Sequence, residues 1–205
     1  MTPEHDIERL PHVIDLLGHF YEMTDLLKST FDGARAMNMP QEISEYLVCV
    51  IARKCCGRDV MSSKFDNNGA KMSGDAHTAS FPKVEIVIEY TDDGLKCALV
   101  PRRERIEIKN FSNGPISFGP TELWDTLLIL DGSTRNTWFK LYEIPHSNDS
   151  DVWSNIKMNK TQTFRDQCKQ KRRPRMEFKS ICKKLKDNPP QLLWQGDIRD
   201  LLLKN

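Results

Sequence analysis

The sequence predicts an α+β fold, within the broad α/β class, built on a mixed central β-sheet flanked by helices. Two observations carry this expectation. Apolar residues recur every three or four positions through the first quarter of the chain, then every second position from residue 84. The helical and strand-like stretches do not alternate as a regular βαβ sheet requires. A chain of 205 residues fits one domain. Within it we expect a helical part over 1–60, a sheet core over 73–145 and a basic segment over 160–186.

The elements follow in order. Pro11 suits the first turn of a helix, where its missing N–H leaves no bond unmade. Val13, Leu16, Leu17, Phe20, Tyr21, Leu26 and Leu27 continue that helix at its period. Asn38-Met39-Pro40 breaks the pattern. Ile43, Leu47, Val50 and Ile51 then make the apolar stripe of a second helix, closed near Gly57. Glu42, Glu45 and Lys54 fall off that stripe or on its edge. Residues 66–80 read as a polar loop. Val84, Ile86 and Ile88 alternate with Glu85 and Glu89 along a strand, Asp92-Asp93-Gly94 turns it, and residues 95–100 return. Residues 105–109 form another short strand. Residues 113–120 are a loop by their Gly and Pro content, and Thr121 suits the cap of a helical turn before Trp124. The continuous apolar run at 127–130 predicts a buried strand, and residues 138–144 a further one. The basic segment from Phe164 is helical in part and interrupted at Pro174. Pro189-Pro190 separates it from an apolar tail over 192–203.

Composition narrows the function. Hydrophobic content of 39% and charged content of 29% are those of an ordinary folded protein. No apolar run approaches the roughly 20 residues of a membrane helix. The first residues are acidic and lack an apolar core, so no secretory signal is expected. The expected location is the cytoplasm. Six cysteines show no C-x-x-C spacing and have no histidines clustered beside them, which favours reduced thiols over a zinc site. The net charge is only +1, yet residues 165–186 hold ten bases against two acids, leaving twenty bases against twenty-seven acids elsewhere. A +8 segment on a −7 body suits a protein with one face turned to a polyanion.

Glu107-Ile108-Lys109 is the first candidate for chemistry. On a strand, Glu107 and Lys109 project together while Ile108 packs behind them. A carboxylate beside a lysine, joined by a second carboxylate such as Asp75, can hold Mg²⁺, which takes oxygen ligands and often only one or two carboxylates. Such a cation lowers the pKa of water and stabilises charge on a phosphate. E-x-K alone is also a common pattern on a solvated strand. Asp92 and Asp93 rival Asp75, and His77 lies close by in sequence without being expected to bind metal. The second candidate is the cluster Gln167, Gln170, Lys171, Arg172, Arg173 and Arg175, whose side-chain types clamp phosphates and read guanine or adenine. The third is the loop at 113–121, whose glycines let backbone N–H groups approach phosphates and whose Ser117 and Thr121 are candidates to touch DNA; the alternative expected of it is a tight connection with Phe118 plugging the core. Trp124, Trp138 and Trp153 read as core or loop anchors, and Asp125 and Asp131 as caps or turn residues.

The stretches IEIKNFSNGPISFGPTELWDTLLILDG, WFKLYEIPHSNDSDVW and TFRDQCKQKRRPRMEF together resemble type II restriction endonucleases of the PD-(D/E)xK nuclease superfamily. The resemblance covers residues 73–178. It implies a restriction-endonuclease-like sheet and Mg²⁺-dependent cutting of both strands of double-stranded DNA at a short site. It also implies a homodimer, and a companion DNA methyltransferase acting on the same site. Carried over, Asp75 and Glu107 are the acidic metal ligands, the Ile108 carbonyl a backbone ligand and Lys109 the catalytic lysine. Asp75 departs from the pattern because it follows Gly rather than Pro and stands far ahead of Glu107. A helical acid such as Glu45 sometimes completes such a site. A non-catalytic DNA-binding or regulatory protein, and a repair-type or nicking nuclease on the same fold, remain the alternatives.

Overall fold

The computed structural model describes residues 7–33, 37–62, 75–78, 80, 83–91, 94–112, 114–121 and 123–203. Helix α1, Leu10–Thr30, has a proline in its first turn and buries Leu10, Leu17, Phe20 and Tyr21. Residues 37–40 are not helical, and α2 runs Gln41–Cys56. It stops at Gly57, whose φ of +63° is a left-handed conformation that glycine adopts without steric cost.

The strands are β1 (Val60–Ser62), β2 (Ala76–Thr78), β3 (Lys83–Thr91), β4 (Gly94–Arg102), β5 (Arg105–Phe111), β6 (Ile116–Ser117), β7 (Thr126–Asp131), β8 (Trp138–Ile144), β9 (Arg175–Met176) and β10 (Gln191–Asp197). Three short helices complete the set: α3 (Asp151–Ser154), α4 (Phe164–Lys169) and α5 (Phe178–Lys184). Six strands make the central sheet in the order β1-β2-β5-β7-β8-β10. Only β5 and β7 pair in parallel and the other neighbours are antiparallel, so the sheet is mixed as expected. β3 and β4 form the expected hairpin apart from it. Asp92 and Asp93, the rival acids at its tip, lie outside the described residues, as do Ser73 and Gly74.

Both faces of the sheet are covered. One carries α1 and α2, packed on Ile106, Ile108, Leu128 and Leu130. The other carries an aromatic cluster of Phe118, Trp124, Trp153 and Phe164 over Leu127 and Ile129. β7 is therefore buried on both sides, which explains its unbroken apolar run. β5 buries Ile106 and Ile108 on one face and Glu107 on the other. Its register with β7 sets Glu107 beside Leu127 and Lys109 beside Ile129.

Several expectations change. Residues 76–78 are a strand rather than loop, because their backbone pairs with β1 and β5. The apolar tail, to which the sequence assigned no element, joins the sheet. Residues 191–197 pair with β8, and only Ile198–Leu202 forms a 3-10 helix. No helix surrounds Thr121. The Trp124 N–H instead donates to the Asn148 side chain at 3.2 Å, which holds this turn without a capping hydroxyl. Trp124 and Trp153 are core anchors, whereas Trp138 is 43% exposed. Cys49, Cys55, Cys56, Cys168 and Cys182 are free thiols. Among the described residues no helix is long and apolar enough to cross a membrane.

Candidate active site

The site forms where β2 ends against β5. The Asp75 N–H donates to the Ile106 carbonyl at 2.9 Å, one step beyond the last β2–β5 register pair. Past that point the Asp75 side chain takes over, and its Oδ2 accepts the Ile108 N–H at 3.0 Å. A carboxylate thus stands where the backbone ladder would otherwise have continued. This contact aims Asp75 at the edge of the strand that carries Glu107 and Lys109.

Glu107 is fully buried and Asp75 nearly so. Lys109 ion-pairs with Glu107 Oε1, and its Nζ lies 3.9 Å from Asp75 Oδ2. One ammonium therefore stands between two buried carboxylates. Removing water from carboxylates is costly unless positive charge answers them, which is what Lys109 supplies here.

Helix α2 contributes two residues to the same place. Gln41 Nε2 donates to Asp75 Oδ1 at 3.1 Å and to Glu45 Oε1. A primary amide has two hydrogens, so one neutral side chain ties two acids together. Glu45 is buried, not lying at the edge of the apolar stripe as its helical position suggested. The bond from Gln41 on the preceding turn explains how its burial is tolerated. Gln41 had no signal in the sequence beyond standing four residues before an acid. Asn110 holds the helix start against the strand, with its Nδ2 donating to Ser44 Oγ at 2.9 Å and to the Met39 carbonyl at 3.3 Å.

A cleft of about 310 Å³ opens beside this cluster, lined by Gln41, Lys109, Asn110, Ser117, Gly119 and Arg173 among others, with Asp75 and Glu107 behind the lining. All three stretches singled out in the sequence therefore meet at one opening. The loop and the basic segment are joined by backbone: Ile116 registers with Met176, Ser117 with Arg175, and the Phe118 N–H donates to the Pro174 carbonyl at 2.9 Å. Phe118 is fully buried beneath, the expected plug. Thr121 is exposed and outside the cleft lining. Lys171, Arg172 and Arg175 are exposed. Gln170 accepts a hydrogen bond from Gln162 at 2.8 Å, and Gln167 donates to the same Gln162 at 3.5 Å, so both glutamines lie within an amide network. His77 is buried on β2 with its backbone paired to Arg105.

Asp125 is a structural anchor, not a cap. It accepts two hydrogen bonds from Arg102, at 2.6 and 2.7 Å, and is ion-paired to Arg105. Burial pushes its carboxyl up, but the hydrogen bonds from Arg102 and Arg105 outweigh this and hold it well below the usual carboxylate range. Asp131 does act in a turn, accepting the Ser133 N–H at 2.9 Å.

Among the described residues no three His, Cys, Asp or Glu side chains gather closely enough to form a metal centre by themselves. Mg²⁺ does not need three. One or two carboxylates with water suffice, and carboxylate oxygens are its preferred donors. Asp75 and Glu107, already sharing a single positive charge, fit that requirement.

A mixed sheet with acids and a lysine gathered at one strand edge belongs to the restriction-endonuclease-like class of fold, and comparison with known proteins narrows the class to a family. A family model described as Bsp6I restriction endonuclease matches residues 6–185. The type II restriction enzyme Bsp6I of Bacillus sp. (strain RFL6) is 30% identical over 154 residues, covering 75% of this chain and 69% of that protein. The chain belongs to the Bsp6I restriction endonuclease family, and is thus a site-specific deoxyribonuclease. No solved structure matches it.

Proposed function

We propose that the protein is a type II restriction endonuclease that makes Mg²⁺-dependent, sequence-specific double-strand cuts by hydrolysing phosphodiesters. One observation carries the reading: the Lys109 ammonium lies between the Asp75 and Glu107 carboxylates at a cleft that Arg173 and the 113–121 loop also line. Asp75, Glu107 and the Ile108 carbonyl would hold the metal, with Glu45 joined to Asp75 through Gln41. When bound, Mg²⁺ would lower the pKa of water and offset charge on the phosphate. The chain's own groups do the rest. Asp75 is oriented by the Ile108 N–H and Gln41, so its carboxylate needs little rearrangement to act. Lys109 donates hydrogen bonds from Nζ, positioning the attacking water and offsetting the negative charge that develops on the non-bridging phosphate oxygens. The basic segment, with Gln167, Gln170, Lys171, Arg172, Arg173 and Arg175, and the loop residues Ser117 and Thr121 grip the duplex.

The products would be a 3′-hydroxyl and a 5′-phosphate. Cutting both strands calls for two active sites, which a two-fold homodimer on a palindromic site supplies. A methyltransferase modifying the same site would protect the host's own DNA, and the cytoplasm is where both would meet it. The test is incubation of plasmid with the protein in Mg²⁺ and in EDTA. Discrete fragments that appear only with metal, and vanish with Glu107→Ala or Lys109→Ala, are expected. DNA that stays intact yet is retarded on a gel would overturn the reading. Sequencing the cut ends gives the site and the stagger.

A further inference from the structure

Arg173 stands apart from the other bases of its segment. The arginines that hold the fold together are engaged: Arg58, Arg102, Arg105, Arg135 and Arg199 each meet a carboxylate. Lys171, Arg172, Arg173 and Arg175 have no acidic partner among the described residues. Of these four, Arg173 alone lines the cleft that Lys109 lines.

Its position is set by backbone rather than left to a flexible tail. Immediately after it, the Pro174 carbonyl accepts the Phe118 N–H, and Met176 is buried in the aromatic cluster opposite Ile116. Two residues before it, Lys171 holds a left-handed φ of +56°, which turns the chain after α4. Proline at 174 further restricts residue 173 to extended backbone. An exposed guanidinium is thereby mounted on a short, pinned stretch and directed to the cleft. A volume of about 310 Å³ is at the small end of ligand pockets.

We propose that Arg173 is the residue that clamps the scissile phosphate from the side opposite the Asp75–Glu107–Lys109 cluster, while Arg172 and Arg175 hold the flanking duplex. The proposal rests on the nuclease reading above. In the reaction, a bond forms from water oxygen to phosphorus as the bond from phosphorus to the 3′ oxygen breaks. The leaving oxygen takes up a proton and the attacking water loses one. Arg173 serves as a fixed charge and hydrogen-bond donor and exchanges no proton. Its fork bonds two non-bridging oxygens at once, which an ammonium cannot reproduce.

The test uses a duplex carrying the site mapped from the cut ends. Binding is measured with Ca²⁺ in place of Mg²⁺, and cleavage as a single turnover with enzyme in excess. Arg173→Ala should slow cleavage on the order of 100-fold while changing binding less than about threefold. Arg173→Lys should fall between it and the wild type. Arg172→Ala and Arg175→Ala should do the reverse, weakening binding about tenfold each with smaller losses in the bound-state rate. A third arm needs no loss of activity as readout. A neutral methylphosphonate at the scissile position should weaken binding by the wild type more than it weakens binding by Arg173→Ala. Wild-type cleavage of bound DNA by Arg173→Ala, or equal sensitivity of both proteins to the neutral phosphate, would overturn the proposal. A wild-type protein that cuts no DNA would instead overturn the nuclease reading, and that is seen before any variant is made.

Discussion

Asp125 shows how much one side chain can hold. It joins the end of β4 to the start of β5, through Arg102, Arg105 and the Arg105 backbone N–H at 2.8 Å. Substitution by Ala would leave two partly buried guanidinium groups without their shared anion, at a cost of about 3 kcal/mol, measurable by urea denaturation. The sign with pH follows from the direction of the shift. The folded carboxyl is held below its ordinary value, so its stabilisation is complete above the unfolded pKa of about 3.9 and is lost as pH falls through the folded one. Asp125→Asn should therefore flatten the acid limb of the stability curve, and an unchanged limb would disprove the assignment. Asp125 offered no sign of this in the sequence, because Arg102 and Arg105 stand 23 and 20 positions upstream. Gln41 is the matching case at the site. A lone glutamine has no motif, and its use appears only when α2 meets Asp75.

At the level of elements, the site depends on how α2 abuts β5. Asn110 is the fastening, through Ser44 and Met39. Asn110→Ala removes two hydrogen bonds from a mostly enclosed position, each worth about 1 kcal/mol. The expected result is a loss of stability of that order together with slower cleavage, since Gln41 and Glu45 would no longer be held over Asp75. DNA binding on the basic segment should persist, and a gel-shift titration checks it. Helices α1 and α2 and the strands β3, β4, β5, β7 and β8 were legible in the residues. Pro11, Pro40 and Gly57 bound the helices, and strand β8 falls on the residues its pattern indicates. Residues 76–78 and 191–197 were not legible as strands. They lack a distinctive local pattern and are made strands by their neighbours' unpaired backbone groups.

Across the whole molecule, charge is partitioned so that the excess of bases is free to meet a polyanion. Each phosphate contact releases counterions, so affinity should fall with salt at a slope of about −0.9 per contact. If Lys171, Arg172, Arg173 and Arg175 each take one phosphate, they contribute a slope between −3 and −4, that is about −3.6. The double substitution Arg172→Ala with Arg175→Ala should reduce the measured slope by about two. A slope that does not change would place the DNA elsewhere on the surface. The same partition explains why a net charge of +1 misleads when read alone. The aggregate mixes acids of the body with bases of one segment, and so hides the +8 that the segment carries.

The sequence by itself determined what depends on near neighbours: the helical and strand periods, the pairing of Glu107 with Lys109 on one face, the loop rich in glycine and the basic run. Those features follow from the pitch of the backbone over a few residues. The tertiary structure alone decided which distant groups share the site. Asp75 reaches Ile108 across 33 positions and Gln41 reaches Asp75 across 34, and β6 and β9 bring the loop beneath the arginines. Sheet register and the burial of the aromatic cluster set those distances. Both arise from backbone groups and apolar surfaces that every residue type shares, so they leave no mark at the positions they bring together.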